Sequence, residues 1–452
     1  MDKLHFATAL LPEGWRRDVL VTVADGRIDA VAADAPPTGA TRFAGAAVPG
    51  LPNLHSHTFQ RGMAGLAERR GPSADSFWTW REVMYRFLDR LTPDDIEAIA
   101  AFAFVEMLEA GFASVAEFHY LHNAPDGSRY ADPAETAGRI AAAAGATGIG
   151  LTLLPVFYAH GNFGGAAPAP GQRRFLSDRD GFARLMEGSA RAIAAVPDAA
   201  LGIAPHSLRA ATLDELAWLA ENWPEGPVHI HVSEQVKEVE DCLAAHGRRP
   251  IELLCDTVPV DGRWCLIHAT HAADNEVRLM AESGAVAGLC PVTEANLGDG
   301  IFDTLGFLDA GGRFGVGSDS LIRVSAAEEL RALEYAQRLR HRARNVLGEA
   351  GRSTGRRLHE GACAGGAQAL GRSVGALAPG RRADIVVLDR EHPSLAAADG
   401  DTILDAWIFS ADNGAVADVI CGGRHAVAEG RHRDRGPILA RYRETVRRLD
   451  AL

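Results

Sequence analysis

The sequence predicts an α/β fold, namely a (β/α)8 TIM-like barrel with a small composite β-sandwich domain formed from both termini. Through the middle of the chain, strand-like apolar runs alternate with helical stretches eight times, which is typical of parallel β/α construction. Toward both ends the pattern changes to short alternating strands, which predicts a second domain split across the termini. The length of 452 residues has room for one large barrel and a small partner domain.

The eight candidate strands are short apolar runs, as expected of strands that are buried on both faces. They span residues 47–57, 113–120, 149–158, 201–208, 228–234, 264–270, 286–293 and 314–318. The helix before the second strand has recognisable ends, because Thr92 is a good N-cap, Pro93 takes the first helical position and Gly111 follows the last turn. Eight such units close naturally into a barrel.

One stretch of twenty residues, 140–159, carries no formal charge and has the length of a membrane span. Gly145, Gly148 and Gly150 interrupt it, so the stretch predicts the end of an Ala-rich helix followed by a buried strand. The first 24 residues mix charges into their apolar runs and lack the apolar core of a secretory signal. We therefore expect neither a membrane span nor export.

The composite β-domain is predicted from residues 3–46 and from about 380–430, where short strands follow one another with turn signals and no helices between them. Its clearest C-terminal piece is a hairpin over 416–427 that turns at Gly422 and Gly423. The predicted bounds are 1–48 and 376–452 for the two parts of the β-domain and 49–375 for the barrel.

The composition favours a cytoplasmic metabolic enzyme. Hydrophobic residues make up 47% and charged residues 23% of the chain, which is ordinary for a globular protein. The net charge of −13, with no basic run, argues against a nucleic-acid partner. The six cysteines form no Cys-x-x-Cys pair, so they indicate neither a disulfide framework nor a thiolate zinc site.

Five side chains that bind metals well lie at the ends of predicted strands. His55 and His57 end the first strand, and their spacing of two places both imidazoles on one face, toward the barrel mouth. His231 closes the fifth strand, His268 the sixth, and Asp319 follows the eighth. Each could be structural by itself, as a buried hydrogen-bonded histidine or a helix N-cap. Because parallel strands bring all five to the same rim, a metal site is the better interpretation.

Imidazoles and a carboxylate suit one divalent metal ion per chain, zinc first among the candidates, and one of the five residues need not bind it directly. Such an ion lowers the pKa of water toward about 7, which favours hydrolysis. Two-metal sites often use a Lys at the end of the fourth strand, but that strand reads Ile203-Ala-Pro-His-Ser207. Glu234, three residues after His231, is our candidate proton shuttle. The alternative for Glu234 is a first-turn helix acid.

Four longer strings carry a resemblance to a known family. The chain resembles the single-metal deaminase branch of the amidohydrolase superfamily over nearly its whole length, and within that branch the formimidoylglutamate deiminases of histidine degradation. The strings are LPNLHSHTFQR from Leu51, DSFWTWR from Asp75, AEFHY from Ala116 and TEANLGDG from Thr293.

The resemblance implies hydrolysis of N-formimino-L-glutamate to N-formyl-L-glutamate and ammonia by a homodimer. It implies zinc on His55, His57, His231 and Asp319. The implied catalytic residues are Glu234 for proton transfer, His268 to polarise water, and Asp319.

The resemblance also implies a set of residues that hold the polar ends of the substrate. They are Gln60, Arg81, Tyr120, His206 and Arg209. Formiminoglutamate carries two carboxylates, and the planar guanidinium groups of Arg81 and Arg209 suit bidentate carboxylate binding. The structural alternatives are a solvated helix face for Arg81 and strand-end caps for Tyr120 and His206. One departure is Leu321, because the resemblance implies a His after Ser318-Asp-Ser320.

Two other functions compete with this hypothesis. A related single-metal deaminase of the same superfamily could act on a purine, a pterin or another amidine, although the two arginines argue against it. An inactive barrel could serve as an assembly partner, although the intact metal and shuttle residues argue against that. A zinc deaminase of the Pro-Cys-x-x-Cys type is excluded because the chain has no such Cys pair.

Overall fold

The structure of the protein is a computed structural model that describes residues 2–70 and 75–450. Residues 1 and 451–452, which the predicted domain bounds include, lie outside the described residues, as do residues 71–74. The strands are β1 (Asp2–Leu11), β2 (Gly14–Ala24), β3 (Arg27–Ala32), β4 (Thr41–Pro49), β5 (Leu51–Ser56), β6 (Phe112–His119), β7 (Gly150–Phe157), β8 (Ala200–Leu201), β9 (Ala204–Pro205), β10 (Val228–Val232), β11 (Trp264–His268), β12 (Val286–Leu289), β13 (Arg313–Val316), β14 (Ile385–Leu388), β15 (Val416–Cys421), β16 (Arg424–Ala428) and β17 (Arg431–His432).

The α-helices alternate with the central strands, as the sequence predicts. They are α1 (Phe77–Leu88), α2 (Pro93–Glu109), α3 (Glu135–Thr147), α4 (Arg179–Ile193), α5 (Leu213–Asn222), α6 (Val236–His246), α7 (Pro250–Thr257), α8 (Asp274–Ser283), α9 (Pro291–Leu297), α10 (Thr304–Asp309), α11 (Ala326–His341), α12 (Thr354–Leu370), α13 (Thr402–Ser410) and α14 (Arg435–Asp450). Short 3-10 helices span Thr58–Met63, Phe163–Gly165, Pro170–Gln172 and Asn413–Ala415.

The central strands form one parallel sheet that curls into the predicted barrel. The sheet runs β10-β11-β12-β13-β5-β6-β7-β8, and β9 pairs with β7 beyond the end of β8. Parallel bridges from Ile203 to Val228 and from Ser207 to His231 join the segment that contains β8 and β9, the fourth strand of the barrel, to β10. The predicted fold class is confirmed.

Two of the predicted barrel strands are each divided in the structure. The run 201–208 becomes β8 and β9, because Gly202 lies so close to Pro227 that an added Cβ would be 2.4 Å from its carbonyl oxygen. The run 47–57 divides at Gly50, where a Cβ would lie 2.5 Å from the Cβ of Ala113. There the chain leaves the composite sheet as β4 and enters the barrel as β5.

The predicted start of α2 is confirmed. The Thr92 hydroxyl accepts a hydrogen bond from the backbone N–H of Asp95, and the Asp95 carboxylate accepts one from the backbone N–H of Thr92 at 2.9 Å. This reciprocal pairing satisfies two N–H groups that the first turn leaves without intrahelical partners. The stretch 140–159 contains the end of α3 and all of β7, also as predicted. No helix within the described ranges is long and apolar enough to cross a membrane.

Strands from both termini build the composite domain, which is also confirmed. Its sheet runs β17-β16-β15-β14-β4-β1-β2-β3 and has its own apolar cluster around Phe6, Val21 and Ile385. The expectation of no helices between its C-terminal strands is wrong, because α13 lies between β14 and β15. Leu404 and Ile408 are among the residues that repeat at helical spacing on the buried face of α13. The residue at which the two domains divide stays a prediction.

Candidate active site

The five side chains that the sequence predicts to bind or adjoin a metal ion, called the metal-type side chains below, meet where the carboxyl ends of the barrel strands form its rim. His55 lies in β5, His57 directly follows it, and His231 and His268 lie at or next to the ends of β10 and β11. Asp319 follows β13, and its backbone N–H donates to the carbonyl of His55 at 3.0 Å. All five are buried, at 6% exposure or less. The structure therefore brings together the residues that the sequence predicted to converge.

Their ligand atoms point at one another. The Nε2 atom of His55 is 3.1 Å from Nε2 of His57 and 3.1 Å from Nε2 of His231. One Asp319 carboxylate oxygen lies 3.5 Å from Nε2 of His55 and 3.4 Å from Nε2 of His57. Burial, and then the neighbouring imidazoles, hold the pKa values of His55 and His231 well below the usual range, which leaves both rings neutral. Neutral imidazole nitrogens and one carboxylate are a fitting donor set for a divalent ion.

Backbone carbonyls fix the orientation of two of these rings. The Nδ1 atom of His57 is 2.9 Å from the carbonyl oxygen of Phe118, and Nδ1 of His231 is 3.0 Å from that of His206. A carbonyl only accepts, so each Nδ1 carries the proton and each Nε2 keeps its lone pair. Such outer hydrogen bonds are typical of metal-binding histidines.

His268 is held between two carboxylates. Its Nε2 is 3.7 Å from Asp319, and its Nδ1 is 3.2 Å from a carboxylate oxygen of Glu294. Burial lowers the pKa of His268, but Glu234, Glu294 and Asp319 outweigh burial and raise the pKa overall. Glu294 was not among the site residues predicted from the sequence, although it lies within the string that begins at Thr293. His268 is thus oriented by a partner on helix α9, which follows the neighbouring strand β12.

Glu234 lies in the loop between β10 and α6 and is 4% exposed. Because α6 begins at Val236, Glu234 is not the first-turn acid of that helix. Glu238 has that position, and its carboxylate accepts the backbone N–H groups of Ser233 at 3.1 Å and Glu234 at 3.2 Å. Burial raises the pKa of Glu234. A carboxyl group with a raised pKa beside a metal-type cluster is suited to proton transfer.

A cavity joins this cluster to the predicted substrate residues. The five predicted side chains that line it are Gln60, Arg81, Tyr120, His206 and Arg209. The Gln60 amide donates to the Tyr120 hydroxyl at 3.0 Å, and the Arg81 guanidinium lies 4.6 Å from the ring centroid of Trp78. The predicted substrate residues and the metal-type residues therefore share one cavity.

Arg209 is buried rather than placed on the surface, with 8% exposure. One guanidinium nitrogen lies 3.9 Å from the carboxylate of Glu238, which is also buried. Within the described residues, the Nε atom of Arg209 has no hydrogen-bond partner. Burial lowers the pKa of Arg209, but Glu238 and Glu234 outweigh it, so the guanidinium stays charged. The cavity thus holds a cation with unused donor capacity.

Other side chains that the sequence analysis did not single out also line the cavity. They include Phe77, Trp80, Met84, Tyr85, Tyr158, Phe175 and Leu297. Most come from α1 and from loops, whose approach to the rim depends on tertiary packing. Tyr158 is the exception, because it directly follows a predicted barrel strand, β7, and the same strand-end argument could have found it.

The backbone is strained around the rim. Ser233, His268, Asp319 and Leu321 have positive φ angles of 52°, 67°, 42° and 53°. Such conformations are costly for residues other than glycine and cluster at functional sites. Leu321, where the resemblance implies a His, is fully buried and is not among the residues described as lining the cavity.

Family models match nearly the whole chain. The amidohydrolase family model matches residues 46–426, and the model described as "Formimidoylglutamate deiminase HutF, N-terminal domain" matches residues 1–44. The formimidoylglutamate deiminase of Pseudomonas aeruginosa is 54% identical over 435 residues, which cover 96% of each chain. A 5-methylthioadenosine/S-adenosylhomocysteine deaminase of Haloarcula marismortui is 27% identical, over 90% of this chain and 88% of that one.

Solved structures show the same architecture. An amidohydrolase from Brucella melitensis superposes with a TM-score of 0.95 at 52% identity, covering 99% of this chain and 100% of that one. An adenosine deaminase from Xanthomonas campestris with bound zinc superposes with a TM-score of 0.83 at 22% identity, covering 100% of this chain and 98% of that one. The second likeness concerns the fold alone.

Proposed function

Because this chain belongs to the amidohydrolase family and, within it, to the formimidoylglutamate deiminases, we propose that it hydrolyses N-formimino-L-glutamate to N-formyl-L-glutamate and ammonia. The class of the enzyme is a hydrolase acting on C–N bonds in linear amidines. One observation carries the substrate proposal, namely that a metal-type cluster shares one cavity with Arg81 and Arg209. We also propose that the enzyme acts in histidine degradation.

We propose that His55, His57, His231 and Asp319 hold one zinc ion. The ligand atoms of His55, His57 and Asp319 form one tight group, and those of His55, His231 and His268 form a second group that overlaps it at His55. A zinc ion bound there lowers the pKa of a water molecule and so supplies a nucleophile near neutral pH. A further group of His268, Cys290 and Glu294 is less suited, because burial raises the pKa of the Cys290 thiol and keeps it protonated.

Proton transfer falls to Glu234, with His268 beside it. Addition of water to the formimino carbon forms a C–O bond and releases a proton, which the buried Glu234 carboxylate accepts. Glu234 then donates that proton to the departing nitrogen and takes up the proton of the new hydroxyl group as the C–N bond breaks and the formyl C=O bond forms. Ammonia leaves, and the proton that remains on Glu234 leaves with it as ammonium. His268, oriented by Glu294, hydrogen-bonds the attacking oxygen. The negative charge of Asp319 and Glu234 stabilises the cationic amidine during the reaction.

The other end of the cavity binds the carboxylates. Arg81 and Arg209 supply planar donors, and Gln60, Tyr120 and His206 complete the hydrogen bonds. Because the chain carries a net charge of −13, positive charge for a dianionic substrate has to come from such local groups. We further propose that the enzyme is a cytoplasmic homodimer acting on a free small molecule. All six cysteines are free, which suits a reducing compartment.

Ammonia release from a substrate panel tests this function. The panel contains N-formimino-L-glutamate, other formimino and guanidino acids, adenosine, adenine and guanine, each at matched concentration with the zinc-loaded enzyme. We expect the highest kcat/KM for N-formimino-L-glutamate, with formylglutamate as the second product by mass spectrometry. A higher kcat/KM for any purine would overturn the proposal in favour of a nucleobase deaminase of the same superfamily.

A further inference from the structure

Tyr158 occupies the recognition end of the cavity. It follows β7, is 5% exposed, and lines the cavity that also contains Arg81 and Arg209. Its ring centroid is 4.6 Å from that of His206 and 5.5 Å from that of Phe175. Two packed neighbours and a position at the end of a strand leave the ring little freedom to move.

The hydrogen bonds of Gln172 determine which way the Tyr158 hydroxyl donates. The Gln172 Oε1 atom is 2.7 Å from the backbone N–H of Ala169, which is able only to donate. The opposite end of the amide is therefore the NH2 group, and it lies 2.6 Å from the Tyr158 hydroxyl. Since an NH2 group has no acceptor, the Tyr158 oxygen accepts this bond, and its own proton stays available for another partner.

The Tyr158 proton has no hydrogen-bond acceptor among the described residues. Arg81 and Arg209 act electrostatically on Tyr158, and guanidinium groups have donors only. Nδ1 of the packed His206 ring is engaged with the Ser207 hydroxyl at 3.1 Å. Among the described residues, no hydrogen bond uses the Tyr158 hydroxyl as donor. Burial raises the pKa of Tyr158, so the group remains a neutral phenol.

The segment that carries Gln172 is fixed against the helix that carries Arg81. Gln172 ends the 3-10 helix Pro170–Gln172, and Tyr85 of α1 packs on Gly171 so closely that a Cβ there would lie 2.4 Å from the tyrosine ring. Tyr85 and Arg81 are one helical turn apart on α1. The loop after β7 and helix α1 therefore pack together, and Tyr158 and Arg81 both line the cavity beside them.

We propose that Tyr158, oriented by Gln172, donates a hydrogen bond to one substrate carboxylate and so helps to select a dicarboxylate amidine. The inference rests on the proposed function, since it adds a specificity-determining residue to that reaction. Gln172 is a positioning residue, because it acts only through Tyr158. Hydrogen bonds to charged groups contribute about 1.5–3 kcal/mol, which corresponds to roughly 10- to 150-fold in affinity.

Substitution of Tyr158 by Phe, assayed on matched analogues, tests the inference. On N-formimino-L-glutamate, Tyr158→Phe should lower kcat/KM at least tenfold, mainly by raising KM. The analogues are N-formimino-4-aminobutyrate, which lacks the α-carboxylate, and N-formimino-L-2-aminobutyrate, which lacks the side-chain carboxylate. The penalty should persist with one analogue and fall below twofold with the other. Tyr335→Phe, at a tyrosine that is 42% exposed on α11, is the control and should change nothing.

A second variant, Gln172→Glu, keeps the Tyr158 hydroxyl group but redirects its proton away from the substrate. In Gln172→Glu the new carboxylate accepts the phenolic proton, so the substrate loses the bond although the phenol remains. The Tyr158→Phe/Gln172→Glu double variant should then lose less than the product of the two single factors. Gln172→Glu alone, which leaves the Tyr158 side chain in place, should show the same analogue-dependent penalty and keeps the inference testable if Tyr158→Phe folds poorly.

Three results would overturn the inference. The first is a change below twofold for Tyr158→Phe on N-formimino-L-glutamate, and the second is an equal penalty on both analogues. The third is a multiplicative effect of the two substitutions in the double variant. Failure of the wild-type enzyme to hydrolyse N-formimino-L-glutamate would instead refute the proposed function, so the two failures are distinguishable.

Discussion

Glu234 combines burial with closeness to the metal-type cluster, and both bear on its role. We predict that Glu234→Gln binds the metal ion normally but loses at least about 100-fold in kcat, because general acid and base catalysis commonly supplies 100- to 10,000-fold. The amide keeps the shape of the side chain and removes its proton capacity. Glu225→Gln, at an exposed loop position, is the control. Metal content by mass spectrometry and steady-state ammonia release measure the two quantities, and near-normal kcat with metal bound would assign proton transfer to another residue.

Arg209 is a buried cation whose Nε lacks a partner among the described residues, which predicts a large effect on substrate binding. We expect Arg209→Met to lose about 2 to 5 kcal/mol in kcat/KM on N-formimino-L-glutamate, the usual cost of removing one partner of a buried charge pair. Arg209→Lys should recover little, because an ammonium group does not reproduce the planar pair of donors.

The control for Arg209 is Arg184→Met on the exposed face of α4. It should change kcat/KM by less than about threefold, as ordinary surface changes do. An Arg209→Met enzyme that behaves like this control would remove the main physical reason for a dicarboxylate substrate.

At the residue scale, the metal-type side chains could be predicted because strand ends determine their positions. His55, His231 and His268 each lie in a strand whose carboxyl end faces the barrel mouth, so local pattern and topology suffice. Glu294 and Tyr85 could not be found in this way. Glu294 reaches His268 from helix α9 and Tyr85 reaches the cavity from helix α1, and the angle at which a helix packs is not encoded in its own periodicity.

At the scale of elements, strands pack closely where a glycine lets two backbones approach each other. Gly317, which lies against His55, is such a glycine. An added Cβ on Gly317 would lie 2.7 Å from the carbonyl oxygen and 2.8 Å from the Cβ of His55. We predict that Gly317→Ala displaces His55 and lowers both the metal content and Tm, because overpacking typically costs about 1–3 kcal/mol.

A second glycine, Gly138, serves as the control for the close approach of Gly317 to His55. Gly138 lies inside α3, and a Cβ there would meet nothing within 4 Å. Gly138→Ala should raise stability by about 0.5–1 kcal/mol and leave the metal content unchanged. Thermal unfolding and metal analysis compare the pair, and a Gly317→Ala protein with normal metal content would contradict the packing argument.

The same close approaches explain where the element predictions differ from the structure. The eight strands were predicted at the right places, except that the last residues of the run 286–293 are helical and begin α9. The breaks at Gly50 and Gly202 depend on contacts with Ala113 and Pro227, which are distant in sequence. Helix α13 is a different case. Its helical apolar spacing was present in the sequence and was outweighed by the strand pattern on either side of it.

On the scale of the whole molecule, the metal ion should connect distant parts of the chain. His55 lies in the strand that directly follows the composite sheet, His231 comes from the middle of the barrel, and Asp319 follows its last strand. An ion bound to all three cross-links segments that are far apart in sequence, and the unfolded chain cannot hold them together. Binding to the folded state alone stabilises it by mass action, by about 4 kcal/mol at a free ion concentration of a thousand times Kd.

We therefore predict that exhaustive chelation abolishes ammonia release and lowers Tm, and that one equivalent of Zn²⁺ per chain restores both. Mg²⁺ should restore neither, because it prefers oxygen ligands in octahedral geometry and this donor set is mainly imidazole nitrogen. Titration of the metal-free protein, followed by calorimetry and by activity, gives the stoichiometry. The single-ion hypothesis fails if activity survives full chelation, or if a second equivalent raises activity as much as the first. A second active ion would need a bridging ligand. The fourth barrel strand, formed by β8 and β9, ends at Pro205 and is followed by His206, so it offers no Lys for that purpose.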